Sequence, residues 1–155
     1  MNEREFTKRA MGCAERLWRI SYLILRNEAD CDDAVQDALL KAWAKRDTLR
    51  DPAYFETWLV RILINSARSQ LRSRPRAVAP LDEHIAAAPP PDPALRDAIR
   101  ALDLKYRLPL VLHHLEGYPI DACAAMLKLP ETTVKWRLHA ARKQLRELLG
   151  EEERA

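Results

Sequence analysis

The charged residues of this chain are sorted by sign into three blocks. Between Arg26 and Lys41 there are five acidic residues and no basic one. Two other stretches, residues 57–81 and 132–146, each contain five lysines or arginines and no acid. Because surface helices usually mix both signs, acid-free stretches of this length favour a polyanionic partner such as nucleic acid.

The first basic block has an amide among its cations. On a helix, residues spaced i, i+4, i+7 and i+11 share one face, which we expect opposite Trp58, Leu59 and Ile62. Guanidinium groups bind phosphates and an amide can contact a base edge, so this face fits a nucleic-acid strand. The alternative is a solvated arginine face on a helix that only packs into a core. The face consists of Arg61, Asn65, Arg68 and Arg72.

The second basic block has the spacing of a helix-turn-helix. We expect helices over 120–127 and 131–149, with Pro130 at the first position of the second helix. The inward residues would be Val134, Leu138, Ala141 and Leu145. Outward cations and two threonines at the N-terminal tip fit a recognition helix in the major groove: Thr132, Thr133, Lys135, His139, Arg142 and Arg146. The alternative is a plain helical hairpin within a bundle.

The acidic block could also suggest catalysis. Asp32, Asp33 and Asp37 resemble half of a magnesium-diphosphate site, since hard cations prefer carboxylate oxygens. No second aspartate-rich segment, glycine-rich loop or nucleophile motif accompanies them, so we do not expect an enzyme. His113 and His114 are adjacent and would point about 100° apart on a helix, so we expect neither a metal site nor a cofactor.

The elements that carry these blocks are predicted to be helices in two small domains. Residues 75–93 contain six prolines and five alanines, which indicates a linker between domains 1–74 and 94–155. Apolar residues recur at helical spacing on both sides and no useful alternation of period two appears, so the fold class is all-α. With 155 residues, 32% of them charged, no run approaches the roughly 20 apolar residues of a membrane span. The N-terminus lacks a secretory signal, and we expect a cytoplasmic protein with no direct membrane insertion.

Three motifs resemble one protein family. The stretch DDAVQDALLKAW (Asp32–Trp43) is similar to the polymerase-binding motif of the sigma-70 family in its extracytoplasmic-function branch. FETWLVRILINSARSQLR (Phe55–Arg72) is similar to the pattern that follows it in region 2 of these proteins. TVKWRLHAARKQL (Thr133–Leu145) is similar to the recognition helix of region 4, and the motifs stand in the family's order.

The resemblance implies a promoter-specificity subunit of bacterial RNA polymerase. Asp33, Gln36 and Asp37 would dock on the clamp helices of the largest subunit, and the second domain would approach the flap of the second-largest. The arginine face would approach the −10 element, and the loop 47–53 would capture a base flipped from the non-template strand. The −35 element would be read by Thr132, Thr133, Lys135, Arg137, His139 and Arg142. An anti-sigma protein is a further implied partner.

The chain departs from the family pattern in its helix-turn-helix. Lys128 stands where the turn normally has Gly, and a left-handed backbone there would cost about 1 kcal/mol. Ala122 and Cys123 replace the usual Glu-Ile, and Ser69 replaces a frequent Asp. Trp136 replaces a small Ser on the outer face. It would either contact a thymine methyl or sugar, or pack against the linker or an anti-sigma protein.

A stand-alone helix-turn-helix regulator is the alternative function. Such a protein would need no polymerase and would usually dimerise on a palindrome. It would leave the polar trio of Asp33, Gln36 and Asp37 unexplained.

Overall fold

The computed structural model describes residues 1–73 and 92–154, with side chains described to residue 150. Every regular element within these ranges is helical, and no strand occurs in them, so the all-α prediction is confirmed. The chain divides into two compact units, Met1–Glu83 and His84–Ala155. Most of the linker predicted over residues 75–93, namely residues 75–91, lies outside the described ranges.

The first unit is a bundle of three helices, α1 (Glu3–Leu25), α2 (Glu28–Ala44) and α3 (Phe55–Ser73). Asn2 and Asn27 cap α1 and α2, and each side-chain oxygen accepts a backbone N–H of the first turn. Two short 3₁₀ turns, Arg46–Thr48 and Pro52–Tyr54, connect α2 to α3. The side chains at the centre are fully buried: Leu17, Ile20, Leu59, Leu63 and Ile64.

The buried face of α2 consists of small residues. Sequence periodicity predicts an apolar stripe of Val35, Leu39 and Trp43 with Ala38 and Ala42, but the three large side chains are only half-buried. The fully buried positions are Cys31, Ala34, Ala38 and Ala42, which face α1 and α3. Small side chains let α2 approach both neighbours closely, so the larger apolar residues lie at the edges of the contact.

The second unit contains α4 (Pro93–Ala101), α5 (Leu104–Leu110), α6 (Ile120–Leu127) and α7 (Glu131–Arg154). Apolar periodicity in the sequence predicts a continuous helix over 106–114, whereas the structure has α5 followed by a π-turn, Val111–Leu115. Pro109 lies inside α5 and lacks a backbone N–H to donate. The helix widens in the turn that follows, where Glu116 donates its backbone N–H to the Val111 carbonyl, five residues earlier, at 2.9 Å. α7 packs against α4, α5 and α6.

The turn between α6 and α7 requires a left-handed residue. Lys128 has φ 56° and ψ 46° and donates its backbone N–H to the Ala124 carbonyl. The expectation that position 128 suits glycine is therefore confirmed. Pro130 is the residue before α7 and not its first helical residue as predicted, because α7 begins at Glu131. The Pro130 carbonyl accepts the backbone N–H of Val134 at 3.1 Å.

Candidate functional site

The exposed face of α2 carries the predicted polar trio together with a leucine. Asp33, Gln36 and Asp37 are all exposed and lie within about 100° of one another around the helix. Leu40 projects from the same face and is 71% exposed, which sequence analysis did not single out. An apolar side chain among carboxylates suits a protein partner better than a purely ionic one. We call Asp33, Gln36, Asp37 and Leu40 the α2 docking face.

Asp37 is ionised within this face. Its Oδ2 lies 2.8 Å from Nζ of Lys41, one turn further along α2. The hydrogen bond from Lys41 lowers the pKa of Asp37 below its ordinary value. The Asp37 carboxylate therefore presents its charge throughout the neutral range.

A polar groove of about 260 Å³ separates the docking face from α3. The Oε1 atom of Gln70 is buried and has no hydrogen-bond partner among the described residues. A buried acceptor without a donor is unfavourable within the fold. The lining residues of the groove are Asp33, Ala34, Asp37, Ser66, Ser69, Gln70 and Ser73.

The arginine face of α3 has an aromatic neighbour. Arg61, Asn65 and Arg72 are exposed and Arg68 is half-buried, so the structure places the four along one face. The expectation that Trp58 lies opposite them is wrong. Trp58 is three residues before Arg61, about 60° away around the helix, and its half-buried ring lies 5.9 Å from Phe55.

Leu59 and Ile62, which we also expected opposite the arginine face, differ in burial. Leu59 is fully buried, as predicted, because it lies about 160° from Arg61. Ile62 is half-buried at the edge of the arginine face. The exposed surface of α3 therefore combines cations with apolar side chains, a composition that suits unstacked bases as well as phosphates.

The segment between α2 and α3 has defined local bonds. The Arg46 guanidinium lies 3.9 Å from the centre of the Trp43 ring and donates to the Trp43 carbonyl at 2.8 Å. The Asp51 carboxylate accepts the Ala53 N–H at 3.0 Å. Tyr54, at the end of this segment, is exposed and was missed from sequence. Base capture by the loop 47–53 stays a prediction.

The outward face of α7 has the predicted composition. Thr132, Lys135, His139, Arg142 and Arg146 are exposed, whereas Thr133 and Arg137 are half-buried. On the opposite face Val134, Leu138 and Ala141 are buried, as expected for the core of a helix-turn-helix. Leu145, expected to face inward, is only half-buried.

Trp136 also lies on the outward face of α7. Its side chain is 63% exposed, so it does not share the core of Val134 and Leu138. The ring centre lies 6.5 Å from that of Tyr106 on α5, with the two planes tilted by 44°. Tyr106 was not foreseen, because nothing in the linear sequence connects it with position 136.

The two adjacent histidines are used within the fold. His113 places Nδ1 2.8 Å from the Tyr118 carbonyl oxygen. Arg142 of α7 lies with Nη1 3.2 Å from Nε2 of His114. Partial burial, the neighbouring His113 and the Arg142 charge all lower the pKa of His114. The pair therefore fastens the π-turn to its surroundings.

The three cysteines are packing residues. Cys13, Cys31 and Cys123 are buried, and burial raises the pKa of each thiol to about 11. A protonated, enclosed thiol is a poor nucleophile. Within the described ranges, no three His, Cys, Asp or Glu side chains converge as metal ligands, and no helix is long and apolar enough to cross a membrane.

Comparison with known proteins gives these surfaces a family context. The chain matches sigma-70 region 2 over residues 12–77 and sigma-70 region 4 over residues 93–145. It is 34% identical over 141 residues to the ECF RNA polymerase sigma factor SigM of Mycobacterium tuberculosis, an alignment that covers 87% of this chain and 72% of SigM.

Two solved structures have a similar fold. The sigma factor RpoE of Bartonella quintana, solved in complex with the anti-sigma factor NepR, gives a TM-score of 0.77 at 26% identity and covers 95% of this chain and 98% of RpoE. CnrH, solved in complex with the cytosolic domain of CnrY, gives a TM-score of 0.74 at 30% identity and covers 96% of this chain and 90% of CnrH. The chain therefore belongs to the extracytoplasmic-function branch of the sigma-70 family of RNA polymerase sigma factors.

Proposed function

We propose that this chain binds core RNA polymerase through the α2 docking face and directs it to promoters whose −10 and −35 elements contact α3 and α7. The observation that carries the proposal is the separation of charge along the chain. An acidic, partly apolar face lies on α2, while residues 57–73 of α3 and 132–146 of α7 contain cations and no acids. Complementary charge fixes the orientation of a protein partner, and cationic helices bind the phosphate backbone.

The two units have separate tasks in this proposal. The region 2 domain, residues 1–74, docks on the clamp helices of the largest polymerase subunit through Asp33, Gln36 and Asp37. It contacts the −10 element through Arg61, Asn65, Arg68 and Arg72. A stretch at residues 75–93 links it to the region 4 domain, residues 94–155, near the flap of the second-largest subunit.

The region 4 domain reads duplex DNA with α7. Thr132 and Thr133 lie at the N-terminal tip, where recognition helices contact base edges. The flanking Lys135, Arg137 and Arg142 contact phosphates, with His139 beside them. This binding should weaken steeply with salt, and replacing exposed Lys135 by Gln should reduce the slope of log K against log salt by about one.

Transcription with purified components tests the proposal. Core polymerase should start RNA at a defined set of sites on genomic DNA only when the chain is added, and sequencing of the RNA 5′ ends should reveal shared −10 and −35 elements. The Asp33→Lys, Asp37→Lys double variant should lose these starts. An unchanged pattern of starts with and without the chain would contradict the proposal.

A stand-alone regulator is not favoured, because the family match spans region 2 as well as the helix-turn-helix. Its signature in the same experiment would be tight binding to a palindromic site without polymerase and no new starts. We propose further that the chain acts in the cytoplasm, without enzymatic activity of its own. RpoE was solved with an anti-sigma factor, which supports an anti-sigma partner for this chain.

A further inference from the structure

The aromatic pair Trp136 and Tyr106 lies on the surface that the proposed function assigns to DNA. On α7, Trp136 is about 40° from Thr132 and about 20° from Lys143 around the helix axis. The indole therefore projects away from the buried side of α7, beside the stripe of outward cations. Trp136 is 63% exposed, and covering a large apolar side chain of this kind by a partner would stabilise the complex.

Tyr106 restricts the indole from one side. The half-buried Tyr106 ring lies 6.5 Å from the Trp136 ring, and Nζ of Lys105 lies 5.0 Å from the Tyr106 ring centre. An aromatic neighbour at this distance limits the conformers that the indole can adopt. Less side-chain entropy is then lost when a ligand covers Trp136.

The charge around the pair identifies the covering partner as DNA. No acidic residue occurs from Thr132 to Arg146, and exposed Lys135, Arg142 and Arg146 share the outward half of α7. The N-terminal half of a recognition helix, where Trp136 lies, faces the base edges of the major groove. The one apolar group that base pairs present in that groove is the C5-methyl of thymine.

We infer that Trp136, positioned by Tyr106, reads a thymine methyl in the −35 element and so sets the promoter preference of this chain. Trp136 is the contacting residue, and Tyr106 acts through it. The inference rests on the proposed function of α7, and it adds one base preference that the phosphate contacts of Lys135 and Arg142 do not supply.

Single thymine-to-deoxyuridine replacements in the −35 element test the inference, since they remove only the methyl group. The affinity of polymerase holding the full chain is measured for each replaced promoter fragment. One replacement should weaken binding about fourfold, the value of one buried methyl-sized group. With Trp136→Ser the same replacement should change affinity by less than about 1.5-fold, whereas Trp136→Phe should keep part of the effect.

Tyr106 variants separate positioning from folding. Tyr106→Phe keeps the ring and should keep the fourfold methyl effect, while Tyr106→Ala should reduce it with the salt slope of binding unchanged. Equal methyl effects in the wild type and Trp136→Ser would overturn the inference. So would a lower unfolding temperature of Trp136→Ser with unchanged promoter preference, or loss of anti-sigma binding alone. Absence of any specific promoter binding by the wild type would instead contradict the proposed function.

Discussion

Arg142 on α7 and His114 in the π-turn are joined across 3.2 Å, from the guanidinium Nη1 to Nε2 of the imidazole. Arg142 has no acceptor capacity, so the imidazole must be neutral to accept from it. The bond connects the proposed DNA-reading helix with the π-turn Val111–Leu115, where the helical register is widened.

The first prediction concerns the pH dependence of this bond. The folded pKa of His114 is lowered from its ordinary 6.5, so the unfolded chain binds more protons at that position. The contribution of His114 to stability is therefore complete above pH 6.5 and declines as the pH falls through 6.5 and below. His114→Gln keeps an acceptor that does not titrate. Thermal unfolding at pH 5.5 and 7.5 should show a smaller decrease for this variant than for the wild type, and equal decreases would contradict the assignment.

The second prediction concerns the charges of the α2 docking face. Asp33→Lys with Asp37→Lys should weaken binding of core polymerase by about tenfold or more, because two complementary charges become repulsive. Helix content by circular dichroism should not change, since both side chains are exposed. Glu15→Lys, which reverses one charge at an exposed position of α1 where the double variant reverses two, is the control and should bind normally. Unaltered affinity of the double variant would remove polymerase docking from this face.

The third prediction separates apolar from ionic docking. Leu40→Ser should weaken core binding severalfold while the free energy of unfolding stays within about 0.5 kcal/mol, as for most surface substitutions. Met11→Ser is the matched control, because Met11 on α1 is also 71% exposed, like Leu40. Equal binding by the two variants in a pull-down titration with core polymerase would show that Leu40 contributes nothing.

The fourth prediction concerns the turn of the helix-turn-helix. Lys128 holds φ 56°, where a β-carbon is unfavourable, so Lys128→Gly should stabilise the second unit by up to about 1 kcal/mol. Lys128→Ala removes the charge and keeps the β-carbon, and it should show no such gain. The unfolding temperature of each variant decides between the two causes. A gain for Ala equal to that for Gly would attribute the effect to charge.

Sequence periodicity predicts the helices of this chain well, because apolar residues and caps act locally. α6 begins and ends at its predicted bounds, and α7 begins at its predicted first residue. Register within a helix is harder to predict where small residues form the core. The half-buried Val35 and Leu39 look like the main core residues in the sequence, whereas Ala38 of the same predicted stripe and Ala34 outside it fill the contact.

Only some of the residues on the candidate binding surfaces could be predicted from the sequence. Charged residues such as Asp33, Arg61 and Lys135 can be recognised as surface residues from their type and spacing, and all three are exposed in the structure. Leu40 and Tyr106 carry no such signal, since an apolar residue on an amphipathic helix is normally interpreted as core. Their exposure, and the pairing of Tyr106 with α7, follow from tertiary packing alone.

The alanine-rich contact of α2 gives this helix two independent sets of constraints. Ala34, Ala38 and Ala42 lie wholly inside the bundle, so a larger side chain at any of them would push α2 away from its neighbours. The exposed half of the same helix bears none of that packing. Divergence among related chains can thus alter the outward chemistry of α2, and with it the strength of competition for a shared polymerase, without loss of the bundle.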